Sequence, residues 1–455
     1  MLEQTLKILL IDQLCLHRER YIKNITGLSS LCEKPFKDNR RKIVKLYKIL
    51  ESINLLKRLC KDIDITDRDL ISKATYKCLK NKYKRNDTLE LFSSISGLTK
   101  NQIYTIYYRY RKKGMRPFVE ILIDVLRNEL INKDVNFIPI WYKDKIDACS
   151  GKLRHIGIQN IKHQIYDYIA IEGLQPLFKR IGSHQYASIK GRGQIAGVRK
   201  IKRWVRNKSL KYFAKLDIKK CYPSIPKDKL IEFLEKHIKN DMLIWLITIL
   251  LNSFDKGLSI GSFLSQYLCN VFLSQIYHFI GHQHKIRKCR NGTYTSVSLV
   301  NHRLFYMDDI FLMGTCSKNL LKSIKLIISY CKEKLGLIIK ENWFIRKIPF
   351  TKNKNEDRTF IDMMGFKIYR NHITIRKSIF KRIRSVYMKV YKSWKTHKKI
   401  SLQYSRKCLS YYGLFKNSDS FTAMKKYHVK DVMKICKKVV SNYEKSKIFY
   451  QAKTY

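Results

Sequence analysis

The sequence predicts an α+β fold of the split βαβ kind, with helical regions before and after it along the chain. Short apolar runs alternate with helical repeats between residues 136 and 376. On either side of this stretch, apolar residues recur at helical spacing and the remaining positions are rich in lysine. We therefore expect an α-helical N-terminal region at 1–135, a mixed region at 136–376 and a basic helical region at 377–455.

The N-terminal region has the apolar spacing that is typical of helices, as between Ile43 and Ile53. Within 91–111, the segment Gly97-Leu98-Thr99 interrupts the pattern, and Thr99 is placed to cap the helix that follows. This arrangement resembles a helix-turn-helix, although an ordinary helical hairpin is the simpler interpretation of so short a pattern. RNA binding and assembly into an oligomer both remain open as roles for these helices.

The mixed region contains strands and helices that can be delimited from their patterns. The expected elements are a hairpin over 137–156 with its turn at 149–152, a strand over 212–218, a helix over 265–280, a hairpin over 303–313, a helix over 320–335, and a short hairpin formed by 360–368 and 373–375.

The charge balance indicates a polyanionic partner. The 455 residues include 93 Lys and Arg but only 36 Asp and Glu, which gives a net charge of +57. Self-repulsion of this size destabilises a compact protein unless a polyanion neutralises it. Aromatic residues make up 12% of the chain, which excludes a disordered basic tail. A basic, aromatic-rich globular protein is typical of nucleic-acid binding, since phosphates and stacked bases both find partners.

Cysteine usage and hydropathy predict a soluble cytoplasmic protein without a membrane partner. The twelve cysteines include no C-x-x-C pair, which favours a reduced interior over a disulfide framework. No signal peptide is visible at Met1, and the longest apolar runs, such as 243–251, are too short to span a bilayer.

The most informative residues are two adjacent acids, Asp308 and Asp309, between the apolar runs 304–305 and 310–313. Apolar arms around a short polar tip predict a β-hairpin. Two like charges side by side are unfavourable unless a cation lies there, and Mg²⁺ prefers oxygen ligands. Asp217 ends another apolar strand, and on a neighbouring strand it would complete a three-carboxylate site for the two metal ions of phosphoryl transfer.

These residues belong to a series of segments that resembles the motifs of reverse transcriptases, in the same order. The resemblance extends over roughly residues 136 to 455. The segments are most similar to those of the bacterial, group II intron-like class. The matching segments are two fingers segments at 151–158 and 185–193, motif A at 216–225, motif B at 260–266, motif C at 306–309, motif D at 335–340 and motif E at 363–368.

The resemblance implies a right-hand polymerase, with fingers, a palm and a helical thumb, that copies RNA into DNA from dNTPs. It implies that two Mg²⁺ ions, with Mn²⁺ as a possible substitute, are held by the carboxylates of motifs A and C and by the backbone carbonyl of Ile218. Lys340 is then a candidate proton donor to pyrophosphate. The residues concerned are Asp217, Ile218, Asp308, Asp309 and Lys340.

Six further residues are expected to contact the nucleotide or the template. Lys152 and Arg154 project to the same face of a strand and would clamp the triphosphate, with Arg192 as a further contact. Tyr222 is placed to exclude a 2′-hydroxyl and so to select deoxynucleotides. Gly261 permits a close approach of the backbone, and Gln266 can bond nearby backbone or base.

The form of motif B and the additional N-terminal helices favour particular lineages. Ile260-Gly261 with Ser265-Gln266 resembles diversity-generating retroelement enzymes and related "unknown group" bacterial reverse transcriptases. The N-terminal region shifts the preference to the unknown-group lineages, many of which act in antiphage defence. We therefore expect a bacterial or phage-encoded enzyme whose template is a structured noncoding RNA. A diversity-generating enzyme and a non-catalytic, maturase-like RNA-binding protein remain as alternatives.

Overall fold

The computed structural model describes residues 58–146, 153–349, 359–397 and 399–452. Three sequence expectations therefore lie outside the described residues: the helical repeat at 43–53, the hairpin turn at 149–152, and the position of Lys152. From Leu59 onward, the described residues form one compact unit.

Four helices open the described chain: α1 (Arg68–Leu79), α2 (Asn86–Ser96), α3 (Lys100–Gly114) and α4 (Arg116–Ile131). Thr99 caps α3 as the sequence indicates, because its hydroxyl accepts the N–H of Gln102 at 3.3 Å. The Gln102 side chain accepts the N–H of Thr99 at 2.8 Å in return, which completes a capping box. Gly97 ends α2 in the left-handed conformation, with φ of 72°.

The chain then forms the first hairpin and the elements that lead into the main sheet. These are β1 (Trp141–Ile146), β2 (Leu153–Ile158), α5 (Ile161–Gly173), a 3-10 turn at Leu177–Arg180, β3 (Gln185–Tyr186) and α6 (Gln194–Arg206). Strands β1 and β2 pair antiparallel, with Trp141 opposite Ile158.

The central part alternates strands with helices. Its elements are β4 (Tyr212–Asp217), α7 (Cys221–Ser224), α8 (Lys227–His237), α9 (Asp241–Asn252), α10 (Phe263–Gly281), β5 (His284–Lys288), β6 (Tyr294–Ser298), β7 (His302–Tyr306), β8 (Asp309–Gly314), α11 (Ser317–Tyr330) and β9 (Phe344–Lys347). Where one helix was expected over 320–335, α11 stops at Tyr330 and a π-helical turn, Cys331–Leu335, leads to Gly336 in the left-handed conformation.

The last part contains a small sheet and four helices: β10 (Ile361–Met363), β11 (Phe366–Ile368), β12 (Ile373–Ile375), α12 (Lys377–His397), α13 (Leu402–Lys416), α14 (Phe421–Lys426) and α15 (Val429–Ala452). The sequence predicted one hairpin here. The small sheet has three strands instead, because Met364 and Gly365 adopt positive φ and split the first arm into β10 and β11.

A five-stranded sheet in the order β3-β7-β8-β4-β9 lies at the centre of the molecule. Strands β3 and β7 are parallel, and the other pairs are antiparallel. Alternate side chains point to opposite faces, as the two-residue period of a strand requires. On one face, Ala214, Leu216 and Ile310 join a core with helices α5, α9 and α10. On the other, Phe213 and Phe311 join a core with α6, the small sheet and α12.

The N-terminal helices share the first of these cores. Helix α4 turns one apolar face inward, and its buried residues are Phe118, Val119, Leu122, Ile123, Leu126 and Leu130. The buried carboxylate of Glu172 on α5 pairs with Lys73 of α1 at 2.8 Å and with Lys77. These contacts join α1 to α5. Among the described residues, none of the helices combines the length and the hydropathy that a membrane crossing requires.

We predict that Leu126→Ala lowers the free energy of unfolding by about 2–5 kcal/mol, because Leu126 is fully buried and its loss leaves a cavity. Ile131→Ala on the same helix is the matched control, since Ile131 is 51% exposed. Denaturant unfolding of both variants tests the packing of α4, and equal effects of the two changes would contradict it.

Candidate active site

Pairing of β4 with β8 brings the motif A and motif C acids together. Asp217 lies directly opposite Asp309 in the register of the two strands. Asp308 lies in the two-residue tip between β7 and β8, where Met307 adopts a φ of 53°. The backbone N–H of Ile218 donates to the carbonyl of Asp308 at 3.3 Å, which ties the end of β4 to this tip.

Two lysines compensate these acids. Lys340 lies on the other side of Asp217: its backbone N–H donates to the Asp217 carbonyl at 2.9 Å, and its ammonium group pairs with the Asp217 carboxylate. Lys215 pairs with Asp309, with 3.1 Å between Nζ and Oδ1. The sequence analysis missed Lys215. Its position two residues before Asp217, on the same face of an otherwise apolar strand, was the available signal.

Among the described residues, no lysine, arginine or histidine forms such an ion pair with Asp308. Burial raises the pKa of its carboxyl group above the usual range, and the nearby Asp309 and Asp217 raise it further. Lys340 opposes this shift. A carboxylate in this position is therefore stabilised by additional positive charge.

The three carboxylates of this site have the donor chemistry that divalent metal ions prefer. Among the described residues, no three metal-ligating side chains lie close enough together to hold a metal ion. One carboxylate oxygen of Asp217, Oδ1, is nevertheless buried without a hydrogen-bond partner, while Oδ2 is taken up by Lys340. A buried acceptor without a donor is costly. Three carboxylates, one of which has a buried oxygen without a hydrogen-bond donor, suit a hard cation that prefers oxygen ligands.

Motif B meets the first hairpin through its backbone. The N–H of Gly157 on β2 donates to the carbonyl of Ile260 at 2.8 Å. Gly261 has a φ of +125°, and a Cβ at this position would lie 2.3 Å from the Gly157 carbonyl oxygen. In the structure Gly261 thus approaches the first hairpin closely. Its expected approach to the templating base and the nucleotide stays a prediction.

A buried carboxylate that sequence reasoning missed holds the motif B helix in place. Asp167 of α5 accepts the Ser262 hydroxyl at 2.8 Å and the backbone N–H of Phe263 at 3.1 Å and of Leu264 at 3.3 Å, at the start of α10. Burial raises its pKa to about 6, although these hydrogen bonds act in the opposite direction. An acid within the apolar helix 161–173 was the only signal in the sequence.

Tyr222 lies in the short helix α7, five residues beyond Asp217, and is half-buried. Burial raises the pKa of its hydroxyl, and Asp308 is among the charges that add to the shift. Its backbone carbonyl accepts the N–H of Leu258 at 2.9 Å, which links α7 to the loop before motif B. The charge of Asp308 thus reaches the Tyr222 hydroxyl.

The other expected nucleotide contacts lie on separate elements. Arg154 is exposed on β2, and Gln266 is half-buried in the first turns of α10. The Arg192 guanidinium donates to the carbonyl of Gly182 at 2.8 Å, so this arginine also supports its own loop. The backbone carbonyl of Gln266 accepts the side-chain amide of Asn270 at 3.1 Å.

We predict that Asp167→Asn changes the pH dependence of stability. The pKa of Asp167 is higher in the folded state than its usual value near 3.8, so the folded state binds the proton more tightly. The stability that this group contributes is complete below about pH 4 and is lost as the pH rises through about 6. The variant should therefore gain stability relative to the wild type on going from acid to neutral pH.

Thermal unfolding of both proteins across about pH 4 to 7 measures this difference. A difference that does not change with pH would show that Asp167 titrates normally in the fold.

Comparisons with known proteins agree with this geometry. Residues 142–354 match the sequence profile of the family described as reverse transcriptase (RNA-dependent DNA polymerase). A Schizosaccharomyces pombe protein, described as an uncharacterized 91 kDa protein in cob intron, is 31% identical over 173 residues. That alignment covers 35% of this chain and 21% of the fungal protein, so this chain spans about a fifth of its relative.

Two solved telomerase structures from Candida tropicalis also overlap with this chain. The apo form, truncated from the C-terminal domain, has a TM-score of 0.36 and 15% identity over 63% of this chain and 73% of its own. The complex with a TWJ fragment of telomeric RNA has a TM-score of 0.38 and 14% identity over 77% and 66%. Structural similarity with TM-scores this low carries no information about function.

The profile match includes every sequence-predicted site residue, from Lys152 to Lys340. Reverse transcriptase domains in general depend on divalent metal, which agrees with the carboxylate donor set described above. The sheet, the acidic hairpin and the flanking helices have the arrangement of a right-hand polymerase with a helical N-terminal region. Residues 142–354 therefore match the reverse transcriptase family, whose description names RNA-dependent DNA polymerases.

Proposed function

We propose that this chain extends a DNA 3′-hydroxyl with deoxynucleotides on an RNA template. The observation that supports the proposal most directly is the register of β4 and β8, which sets Asp217 opposite Asp309 with Asp308 at the adjoining tip. Like charges brought together in this way suit a site whose reaction uses metal cations.

Asp217, Asp308, Asp309 and the carbonyl oxygen of Ile218 would hold two Mg²⁺ ions, for which Mn²⁺ can substitute. Bound there, the ions would activate the 3′-hydroxyl and stabilise the departing pyrophosphate. The buried, unpaired Oδ1 of Asp217 and the raised pKa of Asp308 both favour added positive charge at this position.

Lys340 is proposed as the proton donor to pyrophosphate. Its ammonium group is already held beside the reacting centre through the ion pair with Asp217, and its backbone is fixed to the same residue. Lys215 is proposed as a positioning residue that orients Asp309 through their 3.1 Å ion pair.

The nucleotide would be enclosed by residues from the fingers and from motifs A and B. Lys152, Arg154 and Arg192 are proposed to bind the triphosphate, because arginine and lysine side chains suit phosphate oxygens. Tyr222 is proposed as the steric gate, and Gly261 and Gln266 as contacts to the templating pair. Tyr222 is half-buried and within reach of the Asp308 charge, which supports its role.

We further propose that the template is a structured noncoding RNA and that the chain acts in antiphage defence, as a bacterial or phage-encoded enzyme of the unknown-group lineages. The motif B sequence at 260–266 and the additional helices before the reverse transcriptase domain support this lineage. The same motif B form leaves a diversity-generating retroelement enzyme as an alternative. The basic helices α12 to α15 are proposed as the thumb, which would hold the template–primer duplex by its backbone.

A second candidate is a maturase-like RNA-binding protein that does not polymerise. The specific observation in its favour is that the fungal relative is described as lying in an intron. Retention of all three acids in this chain favours polymerisation, because RNA binding alone does not require them.

We predict that Asp308→Asn reduces Mg²⁺-dependent dNTP incorporation on an RNA template by about a thousandfold or more. The metal ions supply several kcal/mol of transition-state stabilisation, and each loss of about 1.36 kcal/mol costs a factor of ten in rate. Asp241→Asn, an exposed acid in the first turn of α9, is the matched control and should leave the rate unchanged. Primer extension with purified protein measures both. Undiminished extension by Asp308→Asn would remove the catalytic assignment.

We predict that Tyr222→Ala admits ribonucleotides, because the variant lacks the ring that would meet a 2′-hydroxyl. Tyr222→Phe keeps the ring and should keep the preference for deoxynucleotides. The ratio of kcat/KM for dNTPs to that for NTPs is the measurement, on one RNA template with one DNA primer. An unaltered ratio in Tyr222→Ala would assign sugar selection to another residue.

A further inference from the structure

Helix α3 is almost entirely outside the core. Of its fifteen residues, only Ile103 is buried. Most helices of a globular protein are stabilised by an apolar face that packs on the rest of the fold. Helix α3 instead presents most of its surface to solvent, so its side chains are available to a partner.

The charge on α3 is entirely of one sign. The helix contains Lys100, Arg109, Arg111, Lys112 and Lys113 and no acidic residue. Arg109, Lys112 and Lys113 lie close together along the chain, around a break in the helix at Arg111, where φ is 56°. Like charges this close repel one another. Lys100 pairs with Glu90 of α2 at 3.1 Å, but the last two turns have no carboxylate of their own helix to pair with. A polyanion would relieve this repulsion.

Four tyrosines accompany these charges, and they divide between two roles. Tyr107 packs inward against Tyr83, with 6.1 Å between ring centroids, so it belongs to the fold. Tyr104 and Tyr110 are 42% and 56% exposed. The guanidinium of Arg111 lies 5.1 Å from the centroid of the Tyr108 ring, so cation and ring are already adjacent on this helix.

The combination of exposed aromatic rings and cations favours one kind of polyanion, single-stranded nucleic acid, over a duplex or a membrane surface. A duplex that is held by its phosphates offers no base faces for stacking. A membrane-surface helix requires a large apolar face, which α3 lacks in its exposed part. Unpaired bases stack on aromatic side chains while the phosphates meet lysine and arginine, which is the composition of α3. RNA rather than DNA is chosen because this inference rests on the proposed RNA template.

We propose that the exposed residues of α3, namely Tyr104, Arg109, Tyr110, Lys112 and Lys113, bind single-stranded RNA outside the polymerase domain. The interrupted pair α2 and α3 then has a function as an RNA-binding helical hairpin. The site would hold an unpaired part of the template RNA while its copied part occupies the sheet and thumb.

The test measures binding of a fluorescent single-stranded oligouridine RNA to the full chain by anisotropy. An unlabelled RNA–DNA template–primer duplex is present in excess, so that the polymerase cleft is filled. Tyr104→Ala combined with Tyr110→Ala should weaken binding about tenfold or more, because each stacked base contributes on the order of 1–3 kcal/mol. Tyr104→Leu combined with Tyr110→Leu preserves apolar bulk without stacking and should weaken binding similarly.

A second variant removes charge: Arg109→Gln, Lys112→Gln and Lys113→Gln together. The slope of log affinity against log salt should fall by about two, since each contact to single-stranded phosphate contributes about 0.7. The matched control loses the same charge at three exposed lysines of the same region, Lys61, Lys80 and Lys133, each changed to glutamine. The control should retain the slope of the wild type.

Two results would overturn the proposal: equal effects of the two charge variants, or unchanged binding by both tyrosine variants. Primer extension separates this inference from the polymerase proposal. The tyrosine variants should extend a short preformed template–primer normally, whereas Asp308→Asn should lose extension and keep oligouridine binding. Loss of extension in Asp241→Asn as well would indicate misfolding rather than either site.

Discussion

Antiparallel pairing of β4 with β8 places Asp217 opposite Asp309, and the remainder of the site is arranged around this pair. Paired residues of neighbouring strands project from the same face of a sheet, so the register alone sets the two carboxylates side by side. A shift of one residue would turn either acid to the opposite face, into a hydrophobic core. The apolar side chains that continue both strands oppose such a shift, because they fill two different cores on the two faces.

The charges near this pair show how a fold with an acidic centre is stabilised before any ligand binds. Lys215 lies on β4 and Lys340 on the segment before β9, and each pairs with one carboxylate. Burial raises the pKa of Asp308 at the tip, so its ionised form is disfavoured. The distribution of charge is therefore uneven across the three acids, and the strongest demand for a cation is at the tip of the hairpin.

Buried polar contacts hold the reverse transcriptase domain together and join it to the N-terminal helices. Asp167 ties a helix of the first core to the start of the motif B helix, and Gly157 bonds the first hairpin to the loop before that helix. Glu172 pairs with lysines of α1, so the N-terminal helices are attached to the same helix, α5, that contains Asp167. A buried carboxylate requires several donors in fixed positions. Helix α5 thus holds the motif B loop and the N-terminal helices in one arrangement.

The sequence by itself determined the α+β class, the strand that ends at Asp217, the acidic hairpin and the cap at Thr99, because each rests on local periodicity or on a short motif. It could not determine the contacts of Lys215, Asp167 or Gly157. These join residues that are distant along the chain, and their register depends on how whole strands and helices pack. The sequence also did not predict that the last hairpin divides into three strands, because the positive φ at Met364 is unusual for a residue other than glycine. Tertiary structure decided which of the predicted residues meet, because strand pairing across the sheet is a non-local interaction.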